Sequence, residues 1–224
     1  MVWTDIVQLA GAILVVVGAI LPVVNPPGDA PLFLHMTAGC DNATRAVLAR
    51  RVAMHSFALL LGTMLLGTFV LRLFGLSLPV IQLAGGAVVC ALGCKLLSED
   101  VRPPDAAIDP HRASATALTQ TFYPLTMPLT IDPGVLSVAV TVGANHAVTI
   151  EAMLIQVAAA AIGAAIVALA VLLSYRYAGS IAARIGHQGM MIIVRLSAFI
   201  VLSIGVQIGW NGVRAMLKGA GIAG

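Results

Sequence analysis

The feature that most constrains this sequence is an apolar run, Ile6 to Val24, which contains no charged residue and stops at Asn25-Pro26-Pro27-Gly28-Asp29. A similar interruption, Thr130-Ile131-Asp132-Pro133-Gly134, lies in the second half of the chain, again between apolar residues. Apolar runs of about 20 residues are long enough to cross a bilayer as helices. Helix breakers at membrane depth are tolerated where they line a cavity. Two such breaks in corresponding halves of a chain predict a transporter binding site.

The composition indicates a membrane protein. Of the 224 residues, 60% are hydrophobic and 9% are charged, and the mean hydropathy is +1.02. Soluble domains carry about 25% charged residues, so this chain has too few to cover a surface that faces water. The sequence therefore predicts an all-α integral membrane protein in contact with the lipid bilayer.

The net charge of +3 does not indicate a nucleic-acid partner. The basic residues lie in short connections between apolar runs, and no dense basic cluster is present to follow phosphates. Cys40, Cys90 and Cys94 are interpreted as small packing residues. Because the sequence has no metal-ligand spacing and no nucleophile–base motif, we predict no metal, no cofactor other than a coupling ion, and no enzymatic activity.

The apolar runs predict six transmembrane helices, with three before and three after a polar linker. Their approximate limits are residues 4–24, 52–74, 80–97, 113–142, 152–175 and 190–217. A short helical piece at residues 30–38 follows the first break, and residues 176–188 form a loop between the last two helices. The small residues of Ala84-Gly85-Gly86 and Gly205-x-x-x-Gly209 predict close helix packing and are compatible with a homo-oligomer.

The domain organisation follows from the linker. Residues 1–98 form a first three-helix repeat, residues 99–112 a cytoplasmic linker, and residues 113–224 a second repeat. An odd number of helices in each half gives the halves opposite orientations, so we predict an inverted repeat in which the first helix of each half is broken. Lysine and arginine are concentrated in the first, third and fifth connections, which predicts these in the cytoplasm and both termini outside.

The chemistry of a broken helix suits a small zwitterion. Pro26 and Pro27 cannot donate backbone hydrogen bonds, so carbonyl groups at the end of the first helix are left unpaired. The helix after each break begins with free N–H groups and a positive dipole end. A substrate carboxylate would lie at that end and an ammonium group near the carbonyls or a carboxylate; a coupling cation would fit as well. A proline-kinked helix without any ligand is the alternative for either break.

The candidate site residues lie in the two breaks. The candidate substrate-binding residues are Asn25, Pro26, Gly28, Asp29, Thr130, Asp132, Pro133 and Gly134. Asp132 and Asp29 are also candidates for ion or proton coupling, because an ionisable residue at membrane depth is a functional hypothesis by default. The alternative for each aspartate is to cap the helix that follows. Thr37, Thr126 and Ser137 either line a polar path or bond back to helix carbonyls.

The motifs occur in an order that resembles a known family. The first motif is Asn25-Pro26-x-Gly28-x-x-Pro31-x-Phe33-Leu34 with Thr37 and Arg45, and the second is Tyr123-Pro124-Leu125-Thr126-x-Pro128-Leu129 followed by Pro133-Gly134. Shorter matches are Phe74-Gly75, Ala84-Gly85-Gly86, Arg195-Leu196, Gln207 and Asn211-Gly212. The sequence resembles the MarC-type family, which is grouped with the six-span small neutral amino acid transporters. The resemblance implies a bacterial-type inner-membrane protein that transports glycine or alanine, coupled to an ion gradient.

Two residues depart from the family pattern. Asp132 stands where the family usually has the first glycine of Gly-Pro-Gly, and Asp29 stands where asparagine often follows the glycine of the first motif. Each adds a negative charge beside the expected site, so we expect a changed substrate charge preference or coupling ion, in the direction of proton coupling. A passive channel or facilitator, an exporter of other small solutes, and a membrane scaffold without a ligand remain the alternative functions.

Overall fold

The computed structural model describes residues 2–98, 118–143 and 150–219. Within these ranges the chain is helical and contains no strand. The helices are α1 (Val2–Val24), α2 (Pro26–Met36), α3 (Asn42–Leu73), α4 (Leu78–Ser98), a π-helical segment (Thr121–Thr130), α5 (Pro133–Gly143) and α6 (Ile150–Gly219). The linker at residues 99–112 and the start of the fourth helix lie outside the described residues.

The described part of the chain contains five helices that are long and apolar enough to cross a membrane: Ile6–Val24, Asn42–Leu73, Leu78–Ser98, Ile150–Ser180 and Val194–Gly219. The π-helical segment and α5 together qualify as one further span, the fourth in chain order, which is bent by 71° at the break between them. The all-helical membrane class and the number of spans therefore agree with the sequence prediction. Below, Ile150–Ser180 is called the fifth span and Val194–Gly219 the sixth span.

The helical stretch α6 has 70 residues and cannot be straight. Tyr175 contacts Thr130, and Ile208 packs against Gly134. Thr130 and Gly134 are at most about 14 Å apart along the chain, whereas Tyr175 and Ile208 would be about 50 Å apart on a straight helix. The chain therefore turns back between the fifth and sixth spans. The predicted loop at residues 176–188 is wrong in one respect, because these residues keep a helical backbone.

A seam of glycines joins α4 to the sixth span. A Cβ atom added to Gly86 would lie 2.5 Å from the backbone nitrogen of Gly209 and 2.7 Å from the carbonyl oxygen of Gly205, and one added to Gly93 would lie 2.7 Å from the backbone nitrogen of Leu202. Residues further along α4 contact residues earlier in the sixth span, so the two helices are antiparallel. The small-residue faces seen in the sequence thus pack against each other inside the molecule.

The fifth span lies at the centre of the core. The stretch α6, of which it is the first part, packs against α1, α2 and α3, and Gly163 of the fifth span admits the Val16 side chain from α1. Near its other end, the ring of Tyr175 stacks on Phe33 of α2, with ring centroids 4.4 Å apart and an angle of 14° between the planes. This packing fixes α2, and with it the first break, against the fifth span.

Candidate functional site

The first break is a single residue, Asn25. Its φ of 44° and ψ of 57° are left-handed, a conformation that asparagine tolerates better than most residues. The Asn25 carbonyl oxygen accepts hydrogen bonds from the amides of Gly28 at 2.9 Å and Asp29 at 3.2 Å, so a new helix begins at once. The predicted start of this piece at residue 30 is wrong, because Pro26 and Pro27 fit the first turn of α2, where an amide hydrogen has no helical acceptor.

Position 28 has no room for a side chain and therefore requires glycine. A Cβ atom added to Gly28 would collide with the side-chain amide of Asn25. Among the residues described, Asn25 and Gly75 are the ones with positive φ, so Gly28 and Gly134 do not use the special backbone freedom of glycine that the sequence suggested. Gly28 instead allows the Asn25 side chain to fold over the first turn of α2.

The second break is preceded by a tandem repeat that the sequence analysis missed. Tyr123-Pro124-Leu125-Thr126 is followed directly by Met127-Pro128-Leu129-Thr130. Tyr123 and Met127 have extended backbones, with φ and ψ of −120° and 125° and of −126° and 123°. The residue before a proline prefers this conformation, and the repeat therefore interrupts the helix twice with the same local geometry.

The threonines of the repeat satisfy backbone groups. The Thr126 hydroxyl donates to the carbonyl oxygen of Thr121, and the Thr130 hydroxyl donates to that of Leu125, each at 2.8 Å. In both cases the acceptor lies five residues earlier, one residue further than in an α-helix. The hydroxyl groups thus add side-chain hydrogen bonds to the irregular backbone at a depth where unpaired polar groups would be costly.

Each of these hydroxyl oxygens also meets a second side chain. His55 Nδ1 lies 3.4 Å from Thr126 Oγ1, and the Tyr175 hydroxyl lies 2.7 Å from Thr130 Oγ1. Because each threonine has already given its only hydrogen to the backbone, its oxygen must act as the acceptor. Tyr175 therefore donates to Thr130, and a hydrogen bond to Thr126 places the proton of His55 on Nδ1.

Asp132 caps α5. Its Oδ1 accepts a hydrogen bond from the Val135 amide at 2.7 Å, and its carbonyl oxygen accepts one from Leu136 at 3.0 Å. This is the capping alternative for Asp132. The first turn of α5, which the sequence analysis assigned to a substrate carboxylate, is thus already occupied by a carboxylate of the chain itself.

Three of the candidate site residues have packing contacts instead of a place in the cavity described below. Pro133 fills the space beside Gly85, which has no room for a Cβ atom, and Gly134 admits the side chain of Ile208. Pro26 is buried at the start of α2. These residues set the shape of the two breaks.

The two breaks enclose one small cavity of about 30 Å³. The first break contributes Val23, Val24, Asn25, Gly28 and Asp29, and the second contributes Pro128, Leu129, Thr130 and Asp132. The rest of the wall is Val89 with Ser197, Ile200, Val201 and Ile204 of the sixth span. A space of this size has room for about one or two water molecules, so it is too small for an amino acid.

Two carboxyl groups face this cavity, and none of the described residues that line it is basic. Asp29 is 9% exposed, and no hydrogen bond or ion pair joins its carboxylate to any residue within 2–98, 118–143 or 150–219. Asp29 and Asp132 are close enough for their charges to interact. Asn25 holds the cap position of α2, so the capping alternative for Asp29 does not apply. The cavity therefore has the electrostatics of a site for a positive charge.

The remaining polar candidates bond back to the backbone. The Thr37 hydroxyl donates to the Phe33 carbonyl oxygen and the Ser137 hydroxyl to that of Gly134, both at 2.8 Å. Arg195 is exposed and does not line the cavity. Ser197 and Tyr175, by contrast, reach the site without having been selected from the sequence; the available signal was a polar side chain within an apolar span.

Arg45 stabilises the far end of α2. Its Nε donates to the Thr37 carbonyl oxygen at 3.2 Å, and its Nη2 donates to that of Ala38 at 3.3 Å. A guanidinium group on the last carbonyls of a helix also offsets the negative end of the helix dipole. This contact explains why Thr37 and Arg45 accompany the first break in the sequence motif.

Several apolar helices long enough to cross a bilayer, packed around a cavity that two carboxyl groups line, define a multi-pass integral membrane protein. The chain matches the family described as MarC family integral membrane protein over residues 4–217. It therefore belongs to the MarC family.

Several relatives are similar over nearly their whole length. The chain is 27% identical over 199 residues to the membrane protein YvbG of Bacillus subtilis. This alignment covers 88% of this chain and 92% of the relative. It is 28% identical over 222 residues to the inner membrane protein MarC of Salmonella typhimurium, and 28% identical over 226 residues to that of Citrobacter koseri; each covers 96% of this chain and 98% of the relative. No solved structure matches the chain. The names of these relatives give a membrane location and no activity.

Proposed function

We propose that this protein is a secondary active transporter of small neutral amino acids such as glycine or alanine, coupled to Na⁺ or H⁺ and working by alternating access. The observation that supports the proposal is the small cavity in which both helix breaks meet, one from each half of the chain. Polar groups and irregular backbone at membrane depth are typical of the substrate sites of such transporters. In this proposal the two halves are inverted repeats of three helices, and the protein makes or breaks no covalent bond.

The electrostatics suggest how substrate and ion share the site. Asp29 has no partner among the described residues and provides the acceptor for a substrate ammonium group. Because Asp132 already occupies the first turn of α5, the substrate carboxylate is left to the amide of Asn25 and the hydroxyl of Ser197, which both line the cavity. A zwitterion adds no net charge to a cavity with two carboxyl groups, so a cation or proton that enters with it lowers the cost of burial.

The cavity volume of about 30 Å³ requires a conformational change during transport. A closed cavity is one state of an alternating-access cycle, and the site must widen towards one side before an amino acid enters. We place the protein in the inner membrane with both termini outside the cytoplasm, in agreement with the distribution of lysine and arginine.

The test is uptake and counterflow of labelled glycine and alanine in proteoliposomes, at several pH values and with or without Na⁺. Asp29→Asn is expected to abolish saturable uptake. Asp41→Asn is the matched control, because Asp41 caps α3 through the Thr44 amide at 3.1 Å and lies outside the cavity. Saturable counterflow in the wild-type protein supports a carrier. Non-saturable flux would favour a channel or facilitator, and the absence of flux and binding for all common amino acids would favour another solute or a scaffold.

A further inference from the structure

We infer that Tyr175 is the gate residue that closes the two-break cavity on the side formed by the start of α3 and the end of the fifth span. The inference rests on the proposed transport function and adds a permeation residue that the sequence did not indicate. Tyr175 is 2% exposed. Its hydroxyl donates to Thr130 Oγ1 at 2.7 Å, and its ring stacks on Phe33 at 4.4 Å.

A vestibule lies directly beyond Tyr175. This second cavity has a volume of about 510 Å³ and is lined by Asn42, Arg45, Ala46, Tyr175, Arg176, Tyr177, Gly179 and Ser180. Thr130 lines the small cavity, and its bonded partner Tyr175 lines the vestibule. The hydrogen-bonded pair of Thr130 and Tyr175 therefore lies between the small cavity and a space large enough for an amino acid.

The opposite side is closed by a much thicker barrier. A third cavity, of about 490 Å³, lies between the N-terminal half of α1, the C-terminal half of α3 and the start of the fifth span. It reaches Val16 on α1, whereas the small cavity begins at Val23. These two residues are about 10 Å apart along the helix, and Ile20 between them is completely buried. Opening on this side requires helices to separate, whereas on the vestibule side Tyr175 is in direct contact with the cavity residue Thr130.

The expected movement is rotation of Tyr175 into the vestibule. It breaks the hydrogen bond to Thr130 and the stack on Phe33, and it joins the small cavity to the vestibule. Thr130 keeps its bond to the Leu125 carbonyl, so the backbone of the second break remains satisfied when the gate opens. The closed position of the gate is thus held by two contacts of the Tyr175 side chain, the hydrogen bond to Thr130 and the stack on Phe33.

Cysteine labelling tests the gate directly. In a background with Cys40, Cys90 and Cys94 replaced by alanine, Ser197→Cys places a thiol in the wall of the small cavity. A small membrane-impermeant methanethiosulfonate is added from either side of oriented vesicles, and the labelling rate is measured. With Tyr175→Phe, which removes the hydroxyl and keeps the ring, labelling from the vestibule side should be about fivefold faster than with wild-type Tyr175. Tyr175→Ala should raise this rate further.

Tyr177→Ala is the matched control, because Tyr177 lines the same vestibule and does not line the small cavity. Equal labelling rates in the Tyr175 and Tyr177 variants would overturn the gate, and so would faster labelling from the opposite side. If Tyr175→Ala does not fold, the labelling rate of the conservative Tyr175→Phe variant still tests the gate. The assay requires no transported substrate, so faster labelling without amino acid flux would leave the gate in place and reject the transport function.

Discussion

The side-chain amide of Asn25 occupies the space into which a Cβ atom on Gly28 would project. This relationship ties a left-handed break residue to a glycine three positions later, and it holds the Asn25 side chain between the end of α1 and the first turn of α2. Both residues line the small cavity. The packing between them is therefore part of the shape of the proposed binding site.

Gly28→Ala should displace the Asn25 amide from the cavity. Loss of one or two hydrogen bonds to the substrate is expected to weaken binding about tenfold, measured as the concentration dependence of glycine or alanine uptake. Gly18→Ala on α1 is the control, because a Cβ atom there has no neighbour within 4 Å. Equal affinities for the two variants would show that the Asn25 side chain does not contact the substrate.

Asp29→Asn should make the protein more stable and at the same time abolish transport. The substitution keeps the size of the side chain and removes a buried carboxyl group that has no hydrogen bond or ion pair among the described residues. We expect the free energy of unfolding in detergent to rise by about 1 kcal/mol or more, measured by thermal denaturation, while saturable uptake is lost. A variant that is less stable than the wild type would indicate a structural partner for the carboxylate.

The local features of the site could be predicted from the sequence, and the features that depend on packing could not. The two breaks were located because proline and glycine act on their own neighbours, and the capping of α5 by Asp132 was a recognised alternative for the same reason. The kink itself lies at Asn25 instead of the prolines, since proline is compatible with a first helical turn. Ser197 lines the cavity because the sixth span turns back along the fifth, and Tyr175 contacts Thr130 because the fifth span packs against the second break. No short motif encodes these long-range contacts.

Thr126→Val should destabilise the second break. It removes the hydroxyl that donates to the Thr121 carbonyl oxygen and accepts from His55, and the loss of these two hydrogen bonds should cost about 1–2 kcal/mol. Thermal denaturation of the purified protein measures the change. Thr126→Ser keeps the hydroxyl and should be close to the wild type. If the serine variant is destabilised as much as the valine variant, the hydroxyl bonds are not the cause.

Asp132 has two roles that substitution can separate, a cap for α5 and a charge in the cavity. Asp132→Asn keeps a side-chain oxygen for the Val135 amide, which Asp132 now bonds at 2.7 Å, so the stability of the fold should change little. Asp132→Ala removes the cap and should cost about 1 kcal/mol. If Asp132 carries the coupled proton, the asparagine variant should lose the pH dependence of uptake in proteoliposomes and retain the fold. Asp41→Asn, which alters a helix cap outside the cavity, should retain the wild-type profile. An Asp132→Asn variant with an unchanged pH profile would exclude the proton-carrier role and leave Na⁺ as the coupling ion to be tested.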